Sequence, residues 1–125
     1  MGATIVLAED EPDLRALYAE CLRRQGHTVL EAGDGAEAGS LVRQHRPDLL
    51  LLDHWMPLLN GLEVLEQLRD ERSAIGLKIV MLTHQRDADT RLEGFALGAS
   101  AYWTKDISLS ELCERVQALL APSEA

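Results

Sequence analysis

The chain predicts an alternating α/β fold, (βα)5, with five parallel strands in a doubly wound sheet. Three observations carry this. Short apolar runs alternate along the chain with segments of 3.6-residue periodicity. Most of those runs are continuously apolar, as strands covered on both faces must be. No Pro/Gly/Ser-rich linker, repeat or low-complexity tract interrupts the 125 residues, so residues 1–125 read as a single domain. Right-handed crossovers between parallel strands then force helices onto both faces of the sheet.

Each element has its own justification. The strands are Thr4 to Ala8, Thr28 to Glu31, Leu49 to Leu52, Lys78 to Leu82 and Ala101 to Thr104. The first helix carries Leu14, Leu17, Tyr18, Cys21 and Leu22 on one stripe, with Pro12 in its first turn and Gly26 as its stop. The second places Ala38, Leu41, Val42 and His45 together behind Asp34 as N-cap, with Glu37 three residues on. The third, with Leu62, Leu65 and Leu68, follows the Asn60-Gly61 turn. The fourth aligns Ala88, Leu92, Phe95 and Ala96 and stops at Gly98. The fifth opens with the capping box Ser108-x-x-Glu111 and is expected to bury Leu109, Leu112, Val116, Leu119 and Leu120.

Composition excludes several classes of function. Twelve basic against 21 acidic residues leave a formal charge of −9. That argues against a face that grips phosphodiester backbone, so no direct nucleic-acid partner is expected. The longest apolar run, Leu49 to Leu52, falls far short of the roughly 20 residues of a membrane span, and Met1 to Leu7 is too short and uncharged for a signal peptide. A soluble, cytoplasmic protein is expected. Cys21 and Cys113 both fall on apolar helix stripes and read as small buried hydrophobes rather than a disulfide, metal or nucleophile pair.

In an open α/β sheet, ligands bind outside the carboxyl ends of the strands. Strand one ends in Glu9-Asp10-Glu11, strand three in Asp53, strand four in Thr83 and strand five in Lys105. Clustered carboxylates raise one another's pKa unless a cation binds among them. Hard oxygen ligands of this kind suit Mg²⁺. With the metal present, Asp53 stays ionised and is a candidate nucleophile toward phosphorus. Thr83 is placed to hydrogen-bond a phosphoryl oxygen, and Lys105 to neutralise another.

The sequence resembles the receiver domains of two-component response regulators over essentially its whole length. The marks are the run from Leu49 through Asp53 to Met56-Pro57 followed by Gly61, the acidic Glu9-Asp10-Glu11, Met81-Leu82-Thr83, and Gly98-Ala99-Ser100-Ala101-Tyr102-Trp103-Thr104-Lys105. The resemblance implies a flavodoxin-like sheet with strand order 2-1-3-4-5. It implies that Asp53 accepts a phosphoryl group from the phosphohistidine of a histidine kinase or phosphotransfer protein. Asp10, Asp53 and the backbone carbonyl of Trp55 would hold Mg²⁺, with Glu9 assisting through water. Thr83 and Tyr102 would form a switch pair that remodels the face made by the fourth helix, fifth strand and fifth helix. The same face would serve a homodimer, and an output domain or target protein would read the switch.

Four positions depart from the family's commoner pattern. Asp106 follows Lys105 where a proline with a cis bond is usual; a non-proline cis bond costs about 2.5–4 kcal/mol, so either the site enforces it or the loop is reshaped. His84 replaces a small residue after Thr83. Trp55 and Gln85, two residues beyond Asp53 and Thr83, stand where the family tunes dephosphorylation, and predict a long-lived phosphoryl group.

Every one of these residues also has an ordinary structural reading. A lone strand-end Asp is commonly a turn residue, Glu11 a first-turn carboxylate favoured by the helix dipole, Thr83 a β-branched strand residue and Tyr102 a packing residue. Trp103, of opposite strand parity to Tyr102, is expected to face the core. His27 and His45 read as bland, and His54 and His84 lack zinc-site spacing. Three functions compete: a phosphorylatable receiver that catalyses only its own phosphorylation and dephosphorylation, a pseudo-receiver scaffold, and an aspartate-nucleophile phosphohydrolase. The last lacks its second acid, since Trp55 stands there.

Overall fold

The computed structural model describes residues 2–54, 56, 58–83 and 88–121, and for residues 72–74 and 88–91 the backbone alone. Five strands, β1 (Thr4–Ala8), β2 (Thr28–Ala32), β3 (Leu49–Asp53), β4 (Lys78–Thr83) and β5 (Ala101–Thr104), form one sheet in the order β2-β1-β3-β4-β5. All neighbours are parallel. Between them run α1 (Pro12–Arg24), α2 (Gly35–His45), α3 (Gly61–Gln67), α4 (Arg69–Ile75), α5 (Ala88–Ala96) and α6 (Leu109–Leu120).

Strand parity divides the core into two layers. Ile5, Leu7, Leu49, Leu51, Val80 and Leu82 meet Tyr18, Ala19 and Leu22 of α1 and Leu112, Cys113 and Val116 of α6. Val6, Ala8, Leu50, Leu52, Ile79 and Met81 face Ala38 and Val42 of α2 and Val64 and Leu65 of α3. Leu49 to Leu52 of the central strand are fully buried, which explains why that run shows no alternation. Each such leucine contributes about 1.5–3 kcal/mol of burial. Asp34 caps α2 through Glu37 N, and Ser108 caps α6 through Glu111 N. Gly26 adopts φ 95°, a left-handed conformation suited to glycine beyond the end of α1.

Several expectations need correction. The single helix expected after β3 is two segments, α3 and α4, separated at the fully buried Leu68, whose N–H is bonded to the carbonyls of Glu66 and Val64. The stripe on α5 is not a buried face: Leu92 is 69% and Phe95 44% exposed, and Gly94 instead lies against the Tyr102 ring. Periodicity reveals a coherent apolar face but not whether anything covers it. Leu17 and Leu109 are likewise exposed, and His45 lies outside the core. Cys21 and Cys113 are joined as a disulfide between α1 and α6, because the two stripes that each carry a cysteine pack on each other across 92 residues of chain.

These differences are testable by urea denaturation. Leu51→Ala is expected to lose about 2–5 kcal/mol, the range for a buried leucine that leaves a cavity. Leu92→Gln, on the exposed stripe, is expected to stay within about 0.5 kcal/mol of the parent.

Candidate functional site

Parallel register brings the strand ends level: Ala8 pairs with Leu52, Asp53 with Leu82, and Thr83 with Thr104. The residues at or just beyond these ends therefore converge on one edge. Glu9 is almost fully buried; its N–H donates to Ala32 O (3.0 Å) and its Oε2 accepts from Glu11 N (3.2 Å). Its Oε1 lies 2.5 Å from Lys105 Nζ, and the same ammonium is 3.2 Å from Asp53 Oδ1. Asp53 is buried and Asp10 exposed, and Glu9, Asp10 and Asp53 each offer a carboxylate oxygen within 4.8 Å of the others. Thr83 is fully buried at the adjoining strand end, and its carbonyl accepts from Lys105 N (2.8 Å).

The Lys105–Asp106 peptide is trans. Of the two expectations for this loop, the reshaped one holds: the Thr104 hydroxyl is bonded to the Asp106 carboxylate, and Lys105 still reaches both carboxylates.

Burial sets the electrostatics. Asp53 has its pKa pushed up to about 7, first by loss of solvent and then by the Glu9 charge, with Lys105 opposing both. Burial alone would lower the Lys105 pKa, but its hydrogen bond to Glu9 and the charges of Asp53 and Glu9 hold it above the ordinary value. Tyr18 of α1 faces the same cluster; burial raises its pKa, Lys105 opposes, and Glu9, Asp53 and Glu11 add to the rise. The edge thus concentrates negative charge that a hard cation would neutralise.

The β3–α3 loop is anchored behind Asp53. His54 is buried, its N–H donates to Leu82 O (3.1 Å), and its carbonyl accepts from Gly61 N (2.8 Å). A Cβ at Gly61 would meet Met81 Cε at 2.6 Å and His54 Cα at 3.0 Å, so this close approach requires glycine. Asn60 and Glu63 form a reciprocal capping box at the start of α3. Tyr102 is buried in one layer of the core, its ring centroid 6.4 Å from that of Phe95. Trp103 packs against the other layer, with the Arg115 guanidinium 5.7 Å from its ring centroid.

The Trp55 carbonyl, Pro57, His84, Gln85 and Arg86 lie outside the described residues. Sequence reasoning missed Arg15, whose Nη1 donates to Glu9 O (2.8 Å), and the proximity of Tyr18. A cation one turn into the helix that follows the three acids Glu9-Asp10-Glu11 was the available signal for Arg15. A cavity of about 530 Å³ lined by His27, Asp48 and Lys78 opens at the opposite, amino-terminal edge of the strands, away from the acidic cluster.

Comparison with known proteins agrees with this fold. The family model described as response regulator receiver domain matches residues 5–117. The alkaline phosphatase synthesis transcriptional regulatory protein PhoP of Bacillus subtilis is 37% identical over 124 residues, covering 99% of this chain and 51% of PhoP. The DNA-binding response regulator MtrA of Mycolicibacterium smegmatis is 37% identical over 124 residues, covering 99% of this chain and 53% of MtrA. The solved chemotaxis protein CheY4 of Vibrio cholerae superposes with a TM-score of 0.88 at 27% identity, covering 96% of this chain and all of that one.

The chain spans about half the length of the curated relatives it matches. These relatives correct the expectation that no direct nucleic-acid partner is involved, since they include transcriptional and DNA-binding regulators. The charge argument describes these 125 residues alone, and the curated relatives are about twice that length. Among the described residues no helix is long and apolar enough to cross a membrane.

The raised Asp53 pKa makes a signed prediction for metal-free protein. Between about pH 4 and pH 7 the unfolded carboxyl has released its proton while the native one retains it, so stability falls as pH rises through that window. In EDTA, Asp53→Asn is expected to melt at the parent's temperature near pH 4 and progressively higher than the parent towards pH 7. A melting difference that does not change with pH would contradict the burial of an ionisable carboxyl.

Proposed function

Because the chain belongs to the receiver domain family of two-component response regulators, we propose that residues 1–125 form one receiver domain with Asp53 as its phosphoacceptor. The observation that carries this is the Lys105 ammonium shared by Glu9 and Asp53 at the sheet edge. The donor would be the phosphohistidine of a histidine kinase or phosphotransfer protein. An Asp53 carboxylate oxygen attacks phosphorus, the phosphorus–nitrogen bond breaks, and its electron pair leaves with the imidazole nitrogen. Lys105 offsets charge on the phosphoryl oxygens, and the Thr83 hydroxyl donates to one of them.

Three carboxylates within 4.8 Å are hard oxygen donors that fit Mg²⁺, so Glu9, Asp10 and Asp53, with the Trp55 carbonyl, are the proposed holders. When bound, the ion would supply charge neutralisation for the phosphoryl group and keep Asp53 ionised at neutral pH.

Phosphorylation and dephosphorylation are both proposed to be self-catalysed. The role is that of a cytoplasmic signalling domain rather than an enzyme with turnover on a metabolite. Tyr102 of β5, whose ring lies against Gly94 of α5, is the proposed partner of Thr83 in the switch. The names of the transcriptional relatives favour an output at transcription. No observation favours a phosphorylation-independent scaffold.

Intact-protein mass spectrometry after acetyl phosphate and Mg²⁺ tests the proposal. The parent is expected to gain one phosphoryl group and Asp53→Asn none; an unmodified parent, or an adduct retained in Asp53→Asn, would overturn it.

A further inference from the structure

Arg15 lies in the first turns of α1, its N–H bonded to Glu11 O (2.9 Å), and its guanidinium turns back beneath the acidic edge. Nη1 donates to the backbone carbonyl of Glu9 at 2.8 Å, while Nε lies 3.4 Å from Glu31 Oε1. Glu31 is held in turn by Arg23 at 3.1 Å, and Arg23 also donates to Val29 O at 2.7 Å. A chain of charged contacts thus runs from β2 to the loop carrying the acids. The space it occupies depends on the backbone opposite, since a Cβ at Gly33 would stand 3.2 Å from Arg15 Nη1.

The acceptor determines what this contact does. Arg15 binds the carbonyl of Glu9 rather than its carboxylate, and that carbonyl belongs to the peptide plane joining Glu9 to Asp10. A charge-assisted hydrogen bond on the carbonyl fixes the orientation of the plane. It therefore sets the backbone from which Asp10 projects, while Glu9 stays anchored by Ala32 O, Glu11 N and Lys105. Glu9 is buried and pinned at several points, whereas Asp10 is exposed, and the peptide plane sets the backbone position from which its side chain starts.

We propose that Arg15, braced by Glu31, is the positioning residue that holds the Glu9–Asp10 peptide in the orientation required for the carboxylate cluster to bind a divalent cation. The proposal rests on the receiver reading above and names a residue outside the carboxylate cluster that orients it. Arg15 touches neither the cation nor the phosphoryl group and acts through the backbone it restrains. Outer contacts that orient metal ligands govern affinity by about 10–100-fold.

The test is Mg²⁺ titration of the full chain, followed by tryptophan fluorescence, for the parent, Arg15→Gln, Arg15→Lys and Glu31→Gln. Arg15→Gln is expected to raise the Mg²⁺ Kd about tenfold. Arg15→Lys, which keeps one cationic donor for the Glu9 carbonyl, is expected to recover part of the affinity. Glu31→Gln, which loosens the brace, is expected to weaken binding less than Arg15→Gln. A metal-independent readout accompanies these: in EDTA, the Glu11 amide, bonded to the Glu9 carboxylate, is expected to exchange with solvent deuterium faster in Arg15→Gln.

A folded Arg15→Gln with a Kd within about twofold of the parent, well under the outer-contact range, overturns the assignment of Arg15 alone. If Arg15→Gln does not fold, a parent-like Kd in both Arg15→Lys and Glu31→Gln overturns it equally. A parent that takes neither Mg²⁺ nor a phosphoryl group overturns the receiver reading as well.

Discussion

One ammonium group, Lys105 Nζ, stands 2.5 Å from Glu9 Oε1 and 3.2 Å from Asp53 Oδ1, with all three side chains almost wholly removed from solvent. Two carboxylates brought this close without a cation could not both remain ionised, and taking either from water costs several kcal/mol. Lys105 offsets part of that cost but cannot balance two acids. The uncompensated part appears as an Asp53 pKa of about 7, raised first by loss of solvent and then by the Glu9 charge. On the proposed reading, a bound cation would relieve this cost and keep the Asp53 carboxylate ionised for reaction.

The fold serves this edge by holding its parts rigidly and level. Glu9, Asp53, Thr83 and Lys105 come from four adjacent strands, and parallel register leaves their ends side by side. Rigidity comes from the continuous leucine run of β3 between two helical layers, a core in which small displacements are resisted by close packing. Local devices refine the placement. Gly61 lets α3 approach His54, the Asn60–Glu63 box starts that helix at a fixed point, and the bond between Lys105 N and Thr83 O ties the last loop to β4. Aspartate after Lys105 is accommodated with a trans peptide because its carboxylate finds the Thr104 hydroxyl within the loop.

Much of this was legible in the residues. The strands could be read because most of their runs are continuously apolar, and the convergence of Glu9, Asp10, Asp53 and Lys105 followed from where those runs end. Asp34 and Ser108 announced their helix starts by residue type and spacing. What could not be read were properties fixed by distant partners. The exposure of Leu92 and Phe95 depends on what lies opposite α5, the pairing of Cys21 with Cys113 on the meeting of α1 and α6, and the break at Leu68 on packing rather than on a proline or glycine. Arg15 escaped notice because its target is a main-chain carbonyl, and any residue type supplies one. The acidic balance of the chain misled in a different way, since a property of these 125 residues was extended to partners of proteins twice as long.

Lys105 is what allows the Glu9 and Asp53 carboxylates to share one buried edge. Carbon-13 NMR of the Asp53 carboxyl carbon, titrated with pH in metal-free protein and in Lys105→Gln, tests it most directly. A midpoint near 7 is expected in the parent and a higher one once the ammonium is removed. A parent midpoint in the ordinary carboxylate range, or one that does not move in Lys105→Gln, would contradict it.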